Sequence, residues 1–274
     1  DTKTPCAWNA LMIHGMSTAG RLLDNTEYTD SANKAAYYIK NNCWNNDRLY
    51  ASIKDGSATL DGYIDDYAFL IYGLLEVLQN RWDNELYDWA LKLADRLIAD
   101  FEDSEYGGFF FTSHDHENLI QRIKSFSDDA IPSGNAIAAF SLNRLGCLSG
   151  NARYIESARN CLRSAWTSIN HAPISHCAML NALSEYLSPP NILIMRTHGT
   201  DKQSWPAMTQ QYHLTDTQVY NIPAEYTPPA SLHDKVAGNT SLAYPCNGQH
   251  CLPPLKNDTE LHDYVRNNSY RILE

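Results

Sequence analysis

The chain has 274 residues, of which 43% are apolar and 19% are charged, a composition typical of a packed globular protein and not of a disordered one. Its formal net charge of −11 argues against a nucleic-acid surface, which needs clustered lysine and arginine, and no apolar run is long enough to cross a membrane. Seven scattered cysteines indicate a reducing, cytoplasmic location and not a secreted disulfide framework.

A repeated pattern predicts pairs of helices. The motif Asn-x-x-Tyr occurs at residues 25–28, 84–87 and 151–154, and each Tyr is followed by small or apolar residues four and seven positions later. Asn is a strong helix N-cap and this spacing forms one helical stripe, so each segment is an outer, amphipathic helix. More uniformly apolar stretches precede them and predict buried inner helices, at 8–23, 67–78 and 136–148, with a fourth at 173–187.

The connections between helices and the last part of the chain have sequence patterns typical of strands and turns. Residues 48–60, with Asp55-Gly56 at the turn, and residues 107–112 predict small β-hairpins. After Pro189-Pro190 the pattern predicts a strand, a helix, a second strand and a closing helix, at 191–196, 205–212, 217–222 and 258–267. The expected fold is therefore mainly α: an arc of helical hairpins of the α/α-toroid type over residues 1–188, with a small α/β appendage over residues 189–274.

Polar residues recur where the predicted inner helices begin. Counting back eighteen residues from each repeat Asn gives Ala7, Asp66 and Ser133, so these positions are expected at one rim of the arc. Paired carboxylates in different environments can act as acid and base on a sugar. The predicted catalytic residues are Asp65, Asp66, Asp128 and Asp129, and the predicted ligand-binding residues are Trp8, Asn9, Tyr67, Ser133, Asn135 and His176.

Helix capping is the alternative interpretation of the same carboxylates. Asp is among the best N-cap residues, so one Asp of each pair is expected to close its helix. Adjacent residues on a helix diverge by about 100°, which leaves the other Asp free to face elsewhere. The two interpretations differ in what a substitution does: loss of stability for a cap, and loss of ligand binding for a site residue.

Five stretches of the chain carry a resemblance to a known family. The stretches are Trp8–Met12, Gly62–Phe69, Gly107–Phe110, Ala130–Asn135 and the Cys-x4-Cys-Leu-Pro-Pro motif that begins at Cys246. In this order they resemble the thioredoxin-domain-containing family that includes spermatogenesis-associated protein 20 and bacterial YyaL. The resemblance implies an α/α toroid similar to the six-hairpin glycosidases and N-acylglucosamine 2-epimerase, preceded in the family by a thioredoxin-like domain that this chain does not match.

Two classes of function follow. The first is a sugar-active toroid that binds or processes a small polar ligand, hydrolase-like through the carboxylates or epimerase-like through His14 and His176. The second is a non-catalytic scaffold that accompanies a thioredoxin-like domain. No motif implies a cofactor or a metal, and the four-residue gap between Cys246 and Cys251 fits neither a redox motif nor a zinc site, leaving a structural thiol pair or a disulfide formed under oxidation.

Overall fold

A computed structural model of the protein describes residues 2–117, 120–212, 214, 217–248 and 250–268. Its first part consists of seven helices in the predicted alternation of inner and outer members. They are α1 (Cys6–Leu22), α2 (Thr26–Cys43), α3 (Ile64–Asn80), α4 (Asn84–Phe101), α5 (Gly134–Ser149), α6 (Ala152–His171) and α7 (Cys177–Leu187). The mainly α arc of helical hairpins is confirmed.

The inner helices pack side by side in chain order, α1 on α3, α3 on α5 and α5 on α7, while each outer helix packs on the inner helix before it. The helix α3 lies in the middle of this layer and is apolar on nearly every face, as its position requires. Close packing depends on Gly73, because a Cβ there would lie 2.9 Å from the backbone oxygen of Ala10. The core of the protein is therefore the layer between inner and outer helices.

Asparagine caps were predicted for the three outer helices, and two are confirmed. The Asn25 side chain accepts hydrogen bonds from two backbone amides of α2, and the Asn151 side chain caps α6 by accepting one, from Arg153. The cap of α4 is Asp83 and not Asn84, so this prediction was wrong by one residue. Asp83 has the same acceptor geometry. The side-chain oxygen of Asn84 instead accepts a hydrogen bond from the indole N–H of Trp82 at 2.7 Å.

The first predicted hairpin is confirmed and the second is wrong. Strands β3 (Arg48–Lys54) and β4 (Ser57–Asp61) pair antiparallel around Asp55-Gly56, and the short strands β1 (Thr4–Pro5) and β2 (Trp44–Asn45) also pair with β3. Residues 107–112 form no hairpin, only one isolated bridge from Glu102 to Phe109. Both backbone groups of Phe109 are bound instead by the side chain of Asn135, which takes the place of a partner strand.

The later part is a small α/β unit. It contains β5 (Asn191–Thr197), α8 (Asp201–Gln210), β6 (Thr217–Pro223), β7 (Leu242–Asn247), β8 (His250–Cys251) and α9 (Asp258–Asn267). The sheet order is β6-β5-β7-β8, with β5 and β6 parallel and β5 and β7 antiparallel. The predicted strands and closing helix are confirmed; α8 begins four residues before its predicted start, and β7 was not predicted.

The sheet of this unit is buried on both faces. Ile192, Ile194 and Tyr220 pack into the core of the helical layer, whereas Leu193 and Met195 pack in a separate cluster with α8 and α9. The boundary between residues 188 and 189 stays a prediction, since one face of the sheet shares the helical core. Among the described residues, no helix is long and apolar enough to span a membrane.

The cysteines fall into two groups. Cys246 and Cys251 form a disulfide across the paired strands β7 and β8, which is one of the two alternatives left open by their spacing. The remaining five are free, and of these only Cys177 is exposed.

Candidate functional site

The carboxylate of Asp66 joins the starts of two inner helices. Its Oδ1 accepts the backbone N–H of Ala7 at 2.9 Å, in the first turn of α1, and its Oδ2 accepts that of Tyr63 at 2.8 Å, at the start of α3. Only 4% of the residue is exposed. Both oxygens are thus occupied by backbone amides that a helix start otherwise leaves without a partner.

The carboxylate of Asp128 likewise joins the starts of the next two inner helices, α5 and α7. Its Oδ1 accepts the backbone N–H of Ser133 at 3.0 Å, at the cap of α5, and its Oδ2 accepts that of Ala178 at 2.9 Å, in the first turn of α7. The rim that the sequence predicted is therefore present, because the inner helices begin along a common edge. At this edge the geometry of Asp66 and Asp128 is that of caps, while their catalytic role stays a prediction.

The other two carboxylates of the rim are not used as caps. The carboxylate of Asp65 makes no hydrogen bond with any described residue, and its Oδ1 lies only 2.1 Å from where a Cβ on Gly134 would be, so it sits against the start of α5. Burial raises the pKa of Asp65 to about 6. Burial also raises the pKa of Asp66 to about 7, against the lowering effect of its two backbone hydrogen bonds. Asp129 is exposed.

Five of the six predicted ligand-binding side chains make local structural hydrogen bonds. Their partners are Pro5 O for Asn9, Leu49 N for Tyr67, Phe126 O and Ala136 N for Ser133, the loop backbone for Asn135, and Ala172 O for His176. Trp8 is 67% exposed. None of the ten predicted site residues lines either of two larger cavities in the described part of the chain, of about 740 and 370 Å³. Their binding role stays a prediction.

Charged side chains from all four inner helices meet at the opposite, C-terminal end of the layer. We call Arg21 (α1), Glu76 (α3), Arg144 (α5) and Glu185 (α7) the charged belt. Arg21 Nη2 donates to Glu76 at 2.5 Å, and Arg144 reaches Glu76 at 3.5 Å and Glu185 at 2.7 Å. All four line a cavity of about 740 Å³, the inner-helix cavity.

The charges of the belt are balanced by one another. Burial alone would raise the pKa of Glu76, but the charges of Arg21 and Arg144 and the hydrogen bond from Arg21 outweigh it and hold the pKa below its usual value. Burial alone would lower the pKa of Arg144, and Glu185 raises it above its usual value. Both residues are therefore charged at neutral pH. Fixed charges on a cavity wall orient polar ligands, because little of their field is screened by water.

Aromatic rings extend the belt toward the middle of the helices. The rings of His14 and Tyr72 stack with centroids 3.7 Å apart, Tyr72 meets Phe140 edge to face, and the guanidinium of Arg144 lies 4.1 Å from the centroid of Phe140. Burial lowers the pKa of His14, against the opposing effect of Glu76. His14 is thus neutral at pH 7 and has one ring nitrogen able to accept a proton.

The sequence contains a signal for this site outside the helical repeat. Glu76 lies within a run of leucine and valine on α3, and Arg144 lies between Leu142 and Leu145 on α5. A charged residue in an inner helix is buried and needs a partner. The sequence does not give the identity of that partner, because Arg21 and Arg144 lie 55 and 68 residues from Glu76.

A second cavity, of about 370 Å³, lies between the ends of α1 and α3 and the α/β unit; we call it the basic cavity. Its charged lining residues are Arg21, Arg81 and Lys202, and its aromatic ones include Trp82 and Tyr212. Arg21 and Thr217 line both cavities, so the two share a wall.

The chain was compared with known proteins. No protein-family model matches it. Spermatogenesis-associated protein 20 of Rattus norvegicus is 30% identical over 67% of the chain and 25% of its own length, and that of Homo sapiens is 26% identical over 95% and 36%. An uncharacterised protein of Caenorhabditis elegans is 28% identical over 96% and 38%. The chain thus spans about a quarter to two fifths of the length of these curated relatives.

Solved structures show the same fold. The GH76 α-mannanase of Bacteroides thetaiotaomicron superposes with a TM-score of 0.55 at 14% identity, over 67% of this chain and 52% of that one. Cellobiose 2-epimerase of Bacillus thermoamylovorans does so with a TM-score of 0.50 at 17% identity, over 59% and 44%. The resemblance seen in the sequence is confirmed: the chain is similar to part of spermatogenesis-associated protein 20, and its fold is an α/α toroid like that of the two solved structures.

Proposed function

We propose that the chain binds a small sugar-like ligand in the inner-helix cavity. One observation carries the proposal: charged side chains from four successive inner helices meet on the wall of one cavity of about 740 Å³. This volume is in the range of small-molecule sites. Fixed donors and acceptors suit a ligand with many hydroxyl groups, and the fold is one that sugar-processing enzymes also have.

The rim carboxylates are the rival location for the same ligand. Asp65 is the strongest candidate there, since it has no hydrogen-bond partner among the described residues and its raised pKa of about 6 suits a general acid. The inner-helix cavity is favoured because residues of all four inner helices line it and would contact a ligand there. Two single substitutions separate the locations.

The experiment is titration of the chain with a panel of simple mono- and disaccharides, read by calorimetry. Asn181 is exposed and lines the inner-helix cavity, so Asn181→Trp fills part of it and is expected to weaken binding at least about 10-fold. Asp65→Asn should leave binding unchanged. The opposite result would place the ligand at the rim, and the absence of binding by any sugar would refute the proposal. Thermal melts of both variants verify folding.

If the bound sugar is also turned over, His14 is the candidate base for an epimerase-like reaction; it stacks beside the charged belt and is not itself among the residues that line the inner-helix cavity. Proton abstraction beside a carbonyl needs a base that is neutral at working pH, and the depressed pKa of His14 meets this requirement. The ring faces the aromatic layer next to Glu76, in contact with Tyr72. Incubation with the bound sugar in D2O tests this: deuterium should enter the sugar with wild type and not with His14→Gln. Hydrolysis without deuterium uptake would favour the carboxylate mechanism.

A second candidate function is contact with another domain, such as the thioredoxin-like domain that the family resemblance implies. Trp8 and Met12 lie one turn apart on α1 and are 67% and 64% exposed, which is unusual for large apolar residues. Binding of the chain to a separately produced thioredoxin-like domain of a family member would be lost in a Trp8→Ser, Met12→Ser variant. Unchanged binding in that variant would exclude α1 as the contact.

A further inference from the structure

The wall between the two cavities contains buried polar atoms without a partner. Arg21 Nε, Thr217 Oγ1 and Gln218 Nε2 make no hydrogen bond within the described part of the chain. Thr217 is 6% exposed and Gln218 is 4% exposed. Arg21 and Thr217 line both cavities, and Gln218 lines the inner-helix cavity. The three residues that carry these atoms all line the inner-helix cavity, and two of them also line the basic cavity; we call this part of the wall the junction.

Their chemistry specifies what would satisfy them. The two nitrogens can only donate, and the hydroxyl can donate as well. Leaving buried donors without acceptors is costly, and native proteins have few such groups. The other side of Gln218 is already used, because its Oε1 accepts the hydroxyl of Tyr220 at 2.7 Å, so Nε2 is held in place. A ligand group rich in acceptor oxygens is the kind of partner that these donors lack.

The basic cavity adds positive charge beside this junction. Arg21, Arg81 and Lys202 line it, and no Asp or Glu is among its lining residues in the described part of the chain. Arg21 is paired with Glu76, and Lys202 with Glu225 at 2.5 Å, so these two cations are partly neutralised. The exposed guanidinium of Arg81 makes no ion pair with any described residue, while Asp83 and Glu85 line a neighbouring cavity with it.

We propose that the ligand is an acidic sugar, whose carboxylate or phosphate group binds at the junction while its hydroxyl-bearing part occupies the inner-helix cavity. This inference rests on the proposed function and adds the substrate class. The acceptor oxygens would take hydrogen bonds from Arg21 Nε, Thr217 Oγ1 and Gln218 Nε2. The positive charge of Arg81 would favour the anion over a neutral sugar of the same size.

The test compares glucose, glucuronate, glucose 6-phosphate and inorganic phosphate as ligands of the 274-residue chain, by calorimetry at low and high salt. At low salt at least one of the two acidic sugars should bind about 10-fold or more tightly than glucose, with a smaller difference at high salt. The stronger of the two identifies carboxylate or phosphate as the preferred anion. Arg81→Gln should reduce this preference at least about 3-fold, and Gln218→Glu should abolish it, because it places a negative oxygen where the donor was.

Arg163→Gln is the matched control, because Arg163 is an exposed arginine on the outer helix α6, and it should keep the full preference. Equal affinity for glucose and for both acidic sugars overturns the acidic-sugar inference and leaves the proposed function standing. Binding of inorganic phosphate without any sugar overturns both. A preference that survives Arg81→Gln and Gln218→Glu, with thermal melts showing folded variants, also overturns the assignment to this junction.

Discussion

Substitution of Asp128, compared with its neighbour Asp129, separates capping from catalysis at the rim. Each carboxylate oxygen of Asp128 accepts a hydrogen bond from a backbone amide, one at the start of α5 and one at the start of α7. Asp129 is exposed, and no hydrogen bond of its carboxylate is found among the described residues. The two differ little in chemistry and position along the chain, so any difference in effect comes from those two bonds.

The expected loss of stability follows from the number of helix caps that each substitution removes. Removing one helix cap typically costs about 1–1.5 kcal/mol, so Asp128→Ala, which removes two, should cost roughly 2–3 kcal/mol. For a chain of this size a loss of 1 kcal/mol lowers the melting temperature by about 2–4 °C, which gives a decrease of roughly 5–10 °C. Asp128→Asn keeps one acceptor oxygen, so its melting temperature should lie about halfway between those of wild type and Asp128→Ala. Asp129→Ala should stay within about 0.5 kcal/mol of wild type.

The assay is thermal unfolding at pH 7, followed by circular dichroism at 222 nm, together with sugar titration of each folded variant. The capping interpretation requires the order Asp128→Ala, then Asp128→Asn, then Asp129→Ala, from the largest loss of stability to the smallest. It is refuted if Asp128→Ala melts within about 1 °C of wild type. Equal losses for the two Ala variants would also refute it. Loss of sugar binding in a variant with wild-type stability would instead support the catalytic role predicted from the sequence.

Two further predictions concern other carboxylates. The pKa of Asp65 is raised in the folded state, so its contribution to stability is present near pH 4 and is lost as the pH rises through about 6. Asp65→Asn should therefore stabilise the protein at pH 8, by roughly 1 kcal/mol after allowance for partial exposure, and change nothing at pH 4; a loss of stability at pH 8 would contradict this. Glu76→Gln leaves Arg21 and Arg144 without their shared buried partner and should cost about 3–5 kcal/mol in urea unfolding. Glu85→Gln, at a side chain 60% exposed, should cost less than about 1 kcal/mol, and equal costs would show that the buried network adds nothing.

The elements of the fold were largely predictable because they depend on local patterns. The outer helices follow from the Asn-x-x-Tyr repeat, and the inner ones from their nearly continuous apolar runs, since neighbouring residues alone produce both signals. The Asp55-Gly56 turn is local in the same sense. The hairpin predicted at residues 107–112 failed because Asn135, which binds Phe109 from 26 residues away, is not part of the local pattern.

The common edge at which the inner helices begin was also predictable, from the regular spacing of the repeats. The sequence could not decide what the carboxylates at that edge do, because Asp65 and Asp66 are adjacent and equally plausible as caps. Packing decided it: Asp66 points at the start of α1 and binds Ala7, whereas Asp65 points at Gly134 on the other side. The 100° between successive helical residues separates the two.

By itself, then, the sequence determined the helical hairpins, the appended strands and the resemblance to a family with an α/α-toroid fold. The tertiary structure alone decided where a ligand would find a cavity. The charged belt joins Arg21, Glu76, Arg144 and Glu185 from four helices, and the wall of Thr217 and Gln218 comes from the appended sheet. Ion pairs between residues 41 to 68 positions apart leave no periodic trace in the chain, since their formation depends on how whole helices pack.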